Sequence, residues 1–146
     1  MNPTIRVKPL RAGANVPAYG SAYAAGADLS ACLASAVQIA PGETKLIPTG
    51  LAMEIPAGYA GLIYARSGMA AKRGLAPANK VGVIDADYRG EVMVALHNHS
   101  GETQEVSPGE RIAQLVIAPF LAVNFTLADE LDSTVRGTGG FGSTGT

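Results

Sequence analysis

The chain is 146 residues long, 47% apolar, and carries a formal net charge of −1. That length suits one domain with one core. The balanced charge, with no Lys/Arg cluster beyond two adjacent residues, argues against a nonspecific nucleic-acid binder, and a polyanionic ligand would have to find positive charge locally or in a metal.

The first ten residues, "MNPTIRVKPL", lack the apolar core of a signal peptide. Residues 5–8 read as a first short β-like run. "AGADLSA" (25–31) follows, with Asp28 as an isolated acid. Cys32, the single cysteine, excludes an intrachain disulfide and suits a reducing compartment; with no base beside it, it reads as a small buried residue rather than a nucleophile. Further β-like runs are expected at 37–39, 51–55 and 59–65. Leu51, Met53 and Ile55 alternate with Ala52 and Glu54 at the two-residue period of a strand. "PGET" (41–44) and "PAGY" (56–59) supply turns, the first with Pro-Gly placed as in a type II turn. "SGMAAKRG" is the one helix candidate, with Ser67 as cap, 69–73 as body and Gly74 as stop. Arg66, just before it, is either an exposed cation beside an ordinary cap or a phosphate ligand at a helix N-terminus, where free N–H groups and the dipole favour anions.

Strand-like runs resume at 81–84, 91–96 and 112–117. Between the first two stand two acids, Asp85 and Asp87. Asp87 fits the first position of a tight turn, Asp87-Tyr-Arg-Gly90. Asp85 has no such role; an acid directly after an apolar run must face water, find a partner or serve chemistry. His97 and His99 share one side of a strand, but no nearby Cys or third His completes a metal site, so a structural role is expected. "PGER" (108–111) is another Pro-Gly turn. Gln114 is a polar residue in an apolar strand, for which a structural partner is the ordinary explanation. The apolar stretch 111–125 is interrupted by Gln114 and Pro119, so no membrane span is expected, and a soluble, cytoplasmic chain is.

The 18 glycines and 9 prolines are spread along the chain, which suggests many short elements and an all-β sandwich or barrel. The tail, "STVRGTGGFGSTGT" (133–146), differs in character. Gly137, Gly139 and Gly142 match G-x-G-x-x-G formally, but only four residues follow, so no helix and acid complete a dinucleotide fold. A P-loop fails as well, since no lysine precedes Ser143 or Thr144. What remains is either a frayed terminus or a glycine strip offering N–H groups to an anion, with Arg136 adding charge and Phe141 a stacking face.

In order along the chain, "AGADLSA", "ARSGMAAKRG", "NKVGVIDADYRGEVMV", "PGERIAQLVI" and "RGTGGFGSTG" together resemble the trimeric dUTP pyrophosphatase (dUTPase) family, over residues 25–145. The resemblance implies a jelly-roll-like (β-clip) all-β domain with one short helix over 1–132. It implies a glycine-rich arm, 133–146, that closes a neighbour's active site in a homotrimer. The implied reaction is Mg²⁺-assisted hydrolysis of dUTP to dUMP and pyrophosphate, which keeps uracil out of DNA and supplies the thymidylate precursor. Neither direct nucleic-acid binding nor a membrane is implied.

Residue by residue, the resemblance makes Asp85 the acid that activates water for attack on the α-phosphorus. Tyr88 lies under the deoxyribose and leaves no room for a 2′-OH. Asn79 and the backbone of Gly82 and Val83 read the uracil edge, with Met93 lining that pocket. Arg66, Ser67 and Gly68 form a phosphate loop, and Gln114 is a further phosphate contact. Asp28 holds the metal through water. Arg136 reaches the γ-phosphate, Phe141 stacks over uracil, and Gly142 and Ser143 complete the lid. Lys80 stands where many members have a small or apolar residue. The dCTP deaminases, which share the fold, are the near rival, but a deaminase needs an acid at the base, and only Asp85 and Asp87 lie near the base-reading segment. A noncatalytic nucleotide-binding trimer is the rival from another class; the set from Asp28 to Phe141 argues against it.

Overall fold

The computed structural model describes residues 2–143. Eleven strands and one helix follow in order: β1 (Arg6–Pro9), β2 (Ala18–Tyr19), β3 (Ala27–Ser30), β4 (Val37–Ile39), β5 (Thr44–Glu54), β6 (Tyr59–Tyr64), α1 (Ser67–Arg73), β7 (Leu75–Pro77), β8 (Gly82–Ile84), β9 (Glu91–Asn98), β10 (Gln104–Val106) and β11 (Arg111–Pro119). They form a four-stranded sheet, β1-β5-β9-β7, a five-stranded sheet, β2-β3-β11-β6-β8, and a small β10-β4 ribbon. The core lies between the two larger sheets. Ile47, Leu51, Val94 and Leu96 enter it from one, Leu29, Ile63, Ile112 and Leu115 from the other. This is the expected jelly-roll-like architecture with its one short helix.

All three expected Pro-Gly and Pro-Ala-Gly turns form. Glu43 N–H donates to Ala40 O, Tyr59 N–H to Pro56 O and Glu110 N–H to Ser107 O, with Gly42, Gly58 and Gly109 at φ of 75°, 85° and 76°. Positive φ at the third position is what a type II turn requires and glycine accommodates.

The sequence reading began the strand before the Pro56 turn at 51, whereas β5 starts at Thr44. Pro48 and Gly50 read as breakers but sit in a bulge, where the register against β9 shifts between Pro48 and Ala52. Gly50 has φ 70°, and a Cβ there would lie 2.7 Å from Cys32 Sγ. Cys32 is buried and Thr49 Oγ1 donates to Val92 O at 2.6 Å, so the bulge leaves no polar group wanting. β2, β3, β7 and β10 lie outside the expected runs; they are two to four residues long, and β7 ends on a proline.

The helix needs one correction. Arg66, not Ser67, is the N-cap, with extended backbone (φ −85°, ψ 132°) and no side-chain cap hydrogen bond; Ser67 is already the first helical residue. Gly74 ends the helix as expected, in the left-handed region at φ 65°. Arg73, in the last turn, pairs with Glu110 and also donates to Gln104 Oε1, which ties the helix to the β10–β11 region.

Candidate functional site

One group of expected residues surrounds a cavity of about 270 Å³. Asn79, Gly82, Val83, Asp85, Tyr88 and Met93 line it, joined by Ile63, Ile84, Glu91 and Val92. The β7–β8 connection shapes one wall. Lys80 N–H donates to Pro77 O at 3.1 Å and Val81 N–H to Asn79 O at 2.7 Å. Lys80 is exposed, at φ 65°. A Cβ on Gly82 would lie 3.3 Å from Ile63 Cβ and 3.4 Å from Asn79 Nδ2, so the Asn79 amide lies beside the Gly82 backbone.

The chain reverses as soon as β8 ends. Tyr88 N–H donates to Asp85 O at 3.1 Å, so the turn runs from Asp85 to Tyr88 rather than from Asp87 to Gly90. The cause is the pairing of β8: Ile84, opposite Gly61, is its last rung, and the backbone turns at once. Asp87 becomes a middle residue of the turn. Arg89 fastens it by donating to Ala86 O at 2.7 Å and Tyr88 O at 3.0 Å. The Asp85 side chain is exposed at the cavity, and no hydrogen bond occupies its carboxylate among the described residues. Tyr88 Oη donates to Glu91 O at 2.9 Å. The Glu91 carboxylate faces elsewhere: it accepts from Gly50 N–H at 2.8 Å and pairs with Arg11.

Strand register builds a second group. Asp28 on β3 stands opposite Gln114 on β11, which stands opposite Tyr64 on β6. The three therefore share one face of the sheet. Arg66, just beyond Tyr64, folds back so that Nε donates to Asp28 Oδ1 at 2.8 Å, and Arg111 Nη1 donates to Asp28 Oδ2 at 3.1 Å. Gln114 has the structural partner expected of it, since Nε2 donates to Ala65 O at 2.8 Å. Ser67 and Gly68, at the open end of α1, are exposed beside this row. Ile63 lines the cavity and is buried, while Tyr64 stands in the Asp28 row. None of Asp28, Arg66, Ser67, Gly68, Arg111 or Gln114 lines the cavity, so the two groups stay separate within one chain.

No three His, Cys, Asp or Glu side chains converge to hold a metal among the described residues. Asp28 is the acid beside Arg66. Each of its oxygens accepts from one guanidinium, which leaves lone pairs for water but no bare carboxylate for direct coordination. That donor set fits a Mg²⁺ held chiefly by a substrate's phosphates and reached through water. His97 and His99 form an edge-on pair with ring centroids 4.4 Å apart, and His97 Nδ1 is hydrogen-bonded to Thr44 Oγ1 at 2.8 Å, the structural role expected. Desolvation first, then the charges of His97 and Lys80, hold the His99 pKa below its ordinary value of 6.5.

The remaining expected residues lie on an arm that departs at Phe120, ahead of the expected 133, and contains no strand or helix among the described residues. Leu121, Val123, Phe125 and Leu127 are exposed at alternate positions along it. Phe120 N–H still donates to Gly58 O at 3.0 Å, and beyond it the hydrogen bonds are local, among them Arg136 Nε to Gly139 O at 2.9 Å and Ser143 N–H to Gly140 O at 3.0 Å. Phe141 is fully exposed at φ 51°, beside Gly142 at φ 87°. Arg136, Phe141, Gly142 and Ser143 thus join neither group within one chain, and residues 144–146 of the expected arm lie outside the described residues. A second, larger cavity of about 860 Å³ runs along β1, β2 and the end of β11, walled by Ile5, Val7, Val16, Tyr19, Tyr59 and Ile117.

The sequence reading missed Ile63, Ile84 and Val92, because nothing distinguishes a cavity-facing apolar residue from a core one in a strand pattern. It left Arg111 without a role, since its partner Asp28 is distant in sequence and only the β3–β11 pairing joins them.

Comparison with known proteins follows the same lines. The dUTPase family model matches residues 12–145. The deoxyuridine 5'-triphosphate nucleotidohydrolase of Syntrophotalea carbinolica is 50% identical over 142 residues, covering 97% of each chain. A solved structure of a variant dUTPase of Staphylococcus bacteriophage 80alpha, with dUpNHpp, superposes with a TM-score of 0.89 at 30% identity, over 99% of this chain and 100% of that one. A variant dUTPase from the S. aureus phage phi11, described as coordinating a structural Mg(II) ion, superposes with a TM-score of 0.77 at 28% identity, over 88% and 98%.

Proposed function

The chain belongs to the dUTPase family, and on that premise we propose how its residues divide the work. It hydrolyses dUTP to dUMP and pyrophosphate, which limits uracil incorporation into DNA and supplies dUMP for thymidylate synthesis. The observation that carries the assignment of residues is the 270 Å³ cavity, where the β7–β8 connection, an aromatic ring and a carboxylate unpaired among the described residues meet.

Uracil enters between Asn79, the backbone of Gly82 and Val83, and Met93. Its edge is read by hydrogen bonds, and the tight wall leaves no space for a thymine methyl. Tyr88 lies under the deoxyribose and rejects a 2′-OH by occupied volume, which leaves no polar group unpaired. Asp85 is the general base: it orients water and accepts its proton as the water attacks the α-phosphorus. Its carboxylate is suited to this because no protein donor competes for it. Arg66, Ser67, Gly68 and Gln114 bind phosphate oxygens, and Asp28 aligns Arg66 for that contact. The family generally uses Mg²⁺, which neutralises triphosphate charge and stabilises the leaving pyrophosphate; Asp28 meets it through water.

The acting form is a homotrimer. Support comes from the separation of the two groups within one chain and from residues 133–143, carrying Arg136, Phe141, Gly142 and Ser143, whose hydrogen bonds among the described residues are local. Body (1–132) and arm (133–146) then serve different sites, the arm covering a neighbour's nucleotide with Arg136 on the γ-phosphate and Phe141 over uracil. The described helix is far too short and polar to cross a membrane, and the cytoplasm is the compartment we assign. Deamination is disfavoured because Glu91, the cavity's other acid, is committed to Arg11 and Gly50.

The test is pyrophosphate release from dUTP, UTP, dTTP and dCTP, with Mg²⁺ and with chelator. dUTP should be turned over far faster than the others. Comparable kcat/KM for UTP would remove the steric role of Tyr88, and ammonia release from dCTP would favour the deaminase.

A further inference from the structure

We propose that Gly90 is a positioning residue for sugar selectivity: its missing side chain is the seat of the Tyr88 ring. The inference rests on the reading of Tyr88 as the wall under the deoxyribose.

A glycine is kept for one of two physical reasons, backbone freedom or space. Gly90 is not among the residues with positive φ, so backbone freedom does not demand it. Space does. A Cβ built on Gly90 would lie 2.5 Å from Tyr88 Oη, 2.6 Å from Cζ and 3.0 Å from Cε2. The hydroxyl half of the ring therefore rests directly on the Gly90 backbone. The ring is half-exposed and lines the cavity with what remains open.

The seat is held from both ends. Tyr88 N–H is tied to Asp85 O and Oη to Glu91 O, one on each side of Gly90 in the contact chain. Glu91 is itself anchored through its carboxylate to Gly50 N–H and Arg11. Because Oη donates to the main chain, it has no donor left for a ribose hydroxyl. The wall under the sugar is then an aromatic edge that these contacts hold in place and that discriminates by its volume. A methyl at position 90 would not rupture the backbone; it would push the ring off Glu91 O and out of its place under the sugar, opening room for a 2′-OH. Asp85 belongs to the same turn, but a change in its action would slow dUTP and UTP together and leave their ratio unaltered.

The experiment compares Tyr88→Ala, Gly90→Ala and the double variant, reading kcat/KM for dUTP, UTP and dTTP and the melting temperature. Tyr88→Ala should lower the dUTP/UTP ratio by roughly tenfold or more, the range that small steric differences reach. Gly90→Ala should lower the same ratio by a similar factor while the dUTP/dTTP ratio, set by Asn79, Gly82 and Met93, holds within about threefold. The double variant should be no worse than Tyr88→Ala, because the methyl then has no ring to displace. If Tyr88→Ala lowers the ratio and Gly90→Ala does not, the seat is wrong and the reading of Tyr88 stands. If Tyr88→Ala leaves the ratio unchanged, that reading falls and this inference with it. Should Gly90→Ala fail to fold alone, folding of the double variant upholds the clash with the ring, and its failure to fold overturns the proposal.

Discussion

Asp85 and Asp87 are the same residue type two positions apart, and the turn separates their fates. Asp85 heads the turn with an unoccupied carboxylate at the cavity; Asp87 sits in its middle, exposed. Asp85→Asn keeps the size but removes most of the basicity, so kcat should fall by about 100- to 10,000-fold, the usual worth of general-base assistance. Binding of a nonhydrolysable dUTP analogue, measured by calorimetry, should stay near wild type, because Asp85 is not among the groups assigned to hold the phosphates. Asp87→Asn should keep most of the activity. The opposite pattern would mean that the two roles are exchanged. His99 makes a weaker prediction of a different kind. Its pKa is depressed in the folded chain, so the unfolded chain binds the proton more readily. The folded state therefore loses stability as pH falls below the ordinary 6.5 and on through the lower folded value. His99→Gln should flatten the melting temperature between neutral pH and that window relative to wild type.

At the scale of elements, the five-stranded sheet aligns Asp28, Gln114 and Tyr64 in one row, and the β8 end sets the Asp85 turn. Much of this was legible. Residue type and position marked Arg66, Asp85 and Gln114, the family resemblance alone marked Tyr88, and punctuation by Pro and Gly marked the turns. The start of β5 was not legible, because Pro48 and Gly50 signal a break when the chain in fact bulges and continues. The Asp28–Arg111 pair was hidden for another reason: pairing between strands far apart in sequence leaves no local signature. The arm was legible only from 133, where glycine begins to dominate; the exposed Leu121, Val123, Phe125 and Leu127 look like an ordinary strand until the fold leaves them without a partner strand. Glycine-rich segments lose much entropy on ordering. Chains ending at 132 should therefore keep their melting temperature within a few degrees but lose nearly all turnover, and amide exchange across 133–143 should slow when nucleotide is added. Full activity in the truncated protein would remove the arm from the reaction.

For the whole molecule, the property behind the proposed trimer is that, among the described residues, neither the Asp28–Arg66 row nor the arm lines the cavity of its own chain. Light scattering should give a trimer, and a fully active monomer would refute the shared site. Complementation is the sharper measurement. Asp85→Asn chains and chains truncated after 132 should each be nearly inactive alone. Mixed before refolding, they should regain activity, since some sites then receive an intact Asp85 from one chain and an intact arm from another. No recovery at any mixing ratio would place base and arm in the same chain.

In the proposed trimer, an arm that serves a neighbour would also change how damage is inherited. In a cell carrying an intact and a defective copy of the gene, products of both would enter the same assemblies. A lesion confined to one contribution, such as the loss of Phe141, would spoil only the sites that the faulty chain covers. Its own cavity would remain usable under a sound neighbour's arm. A chain lesioned at Asp85, in the Asp28–Arg66 row and in the arm at once would instead disable a site wherever it touched one, and its harm would grow faster than its share of the pool. Severity in such a heterozygote would then depend on how many of the shared parts a single allele removes.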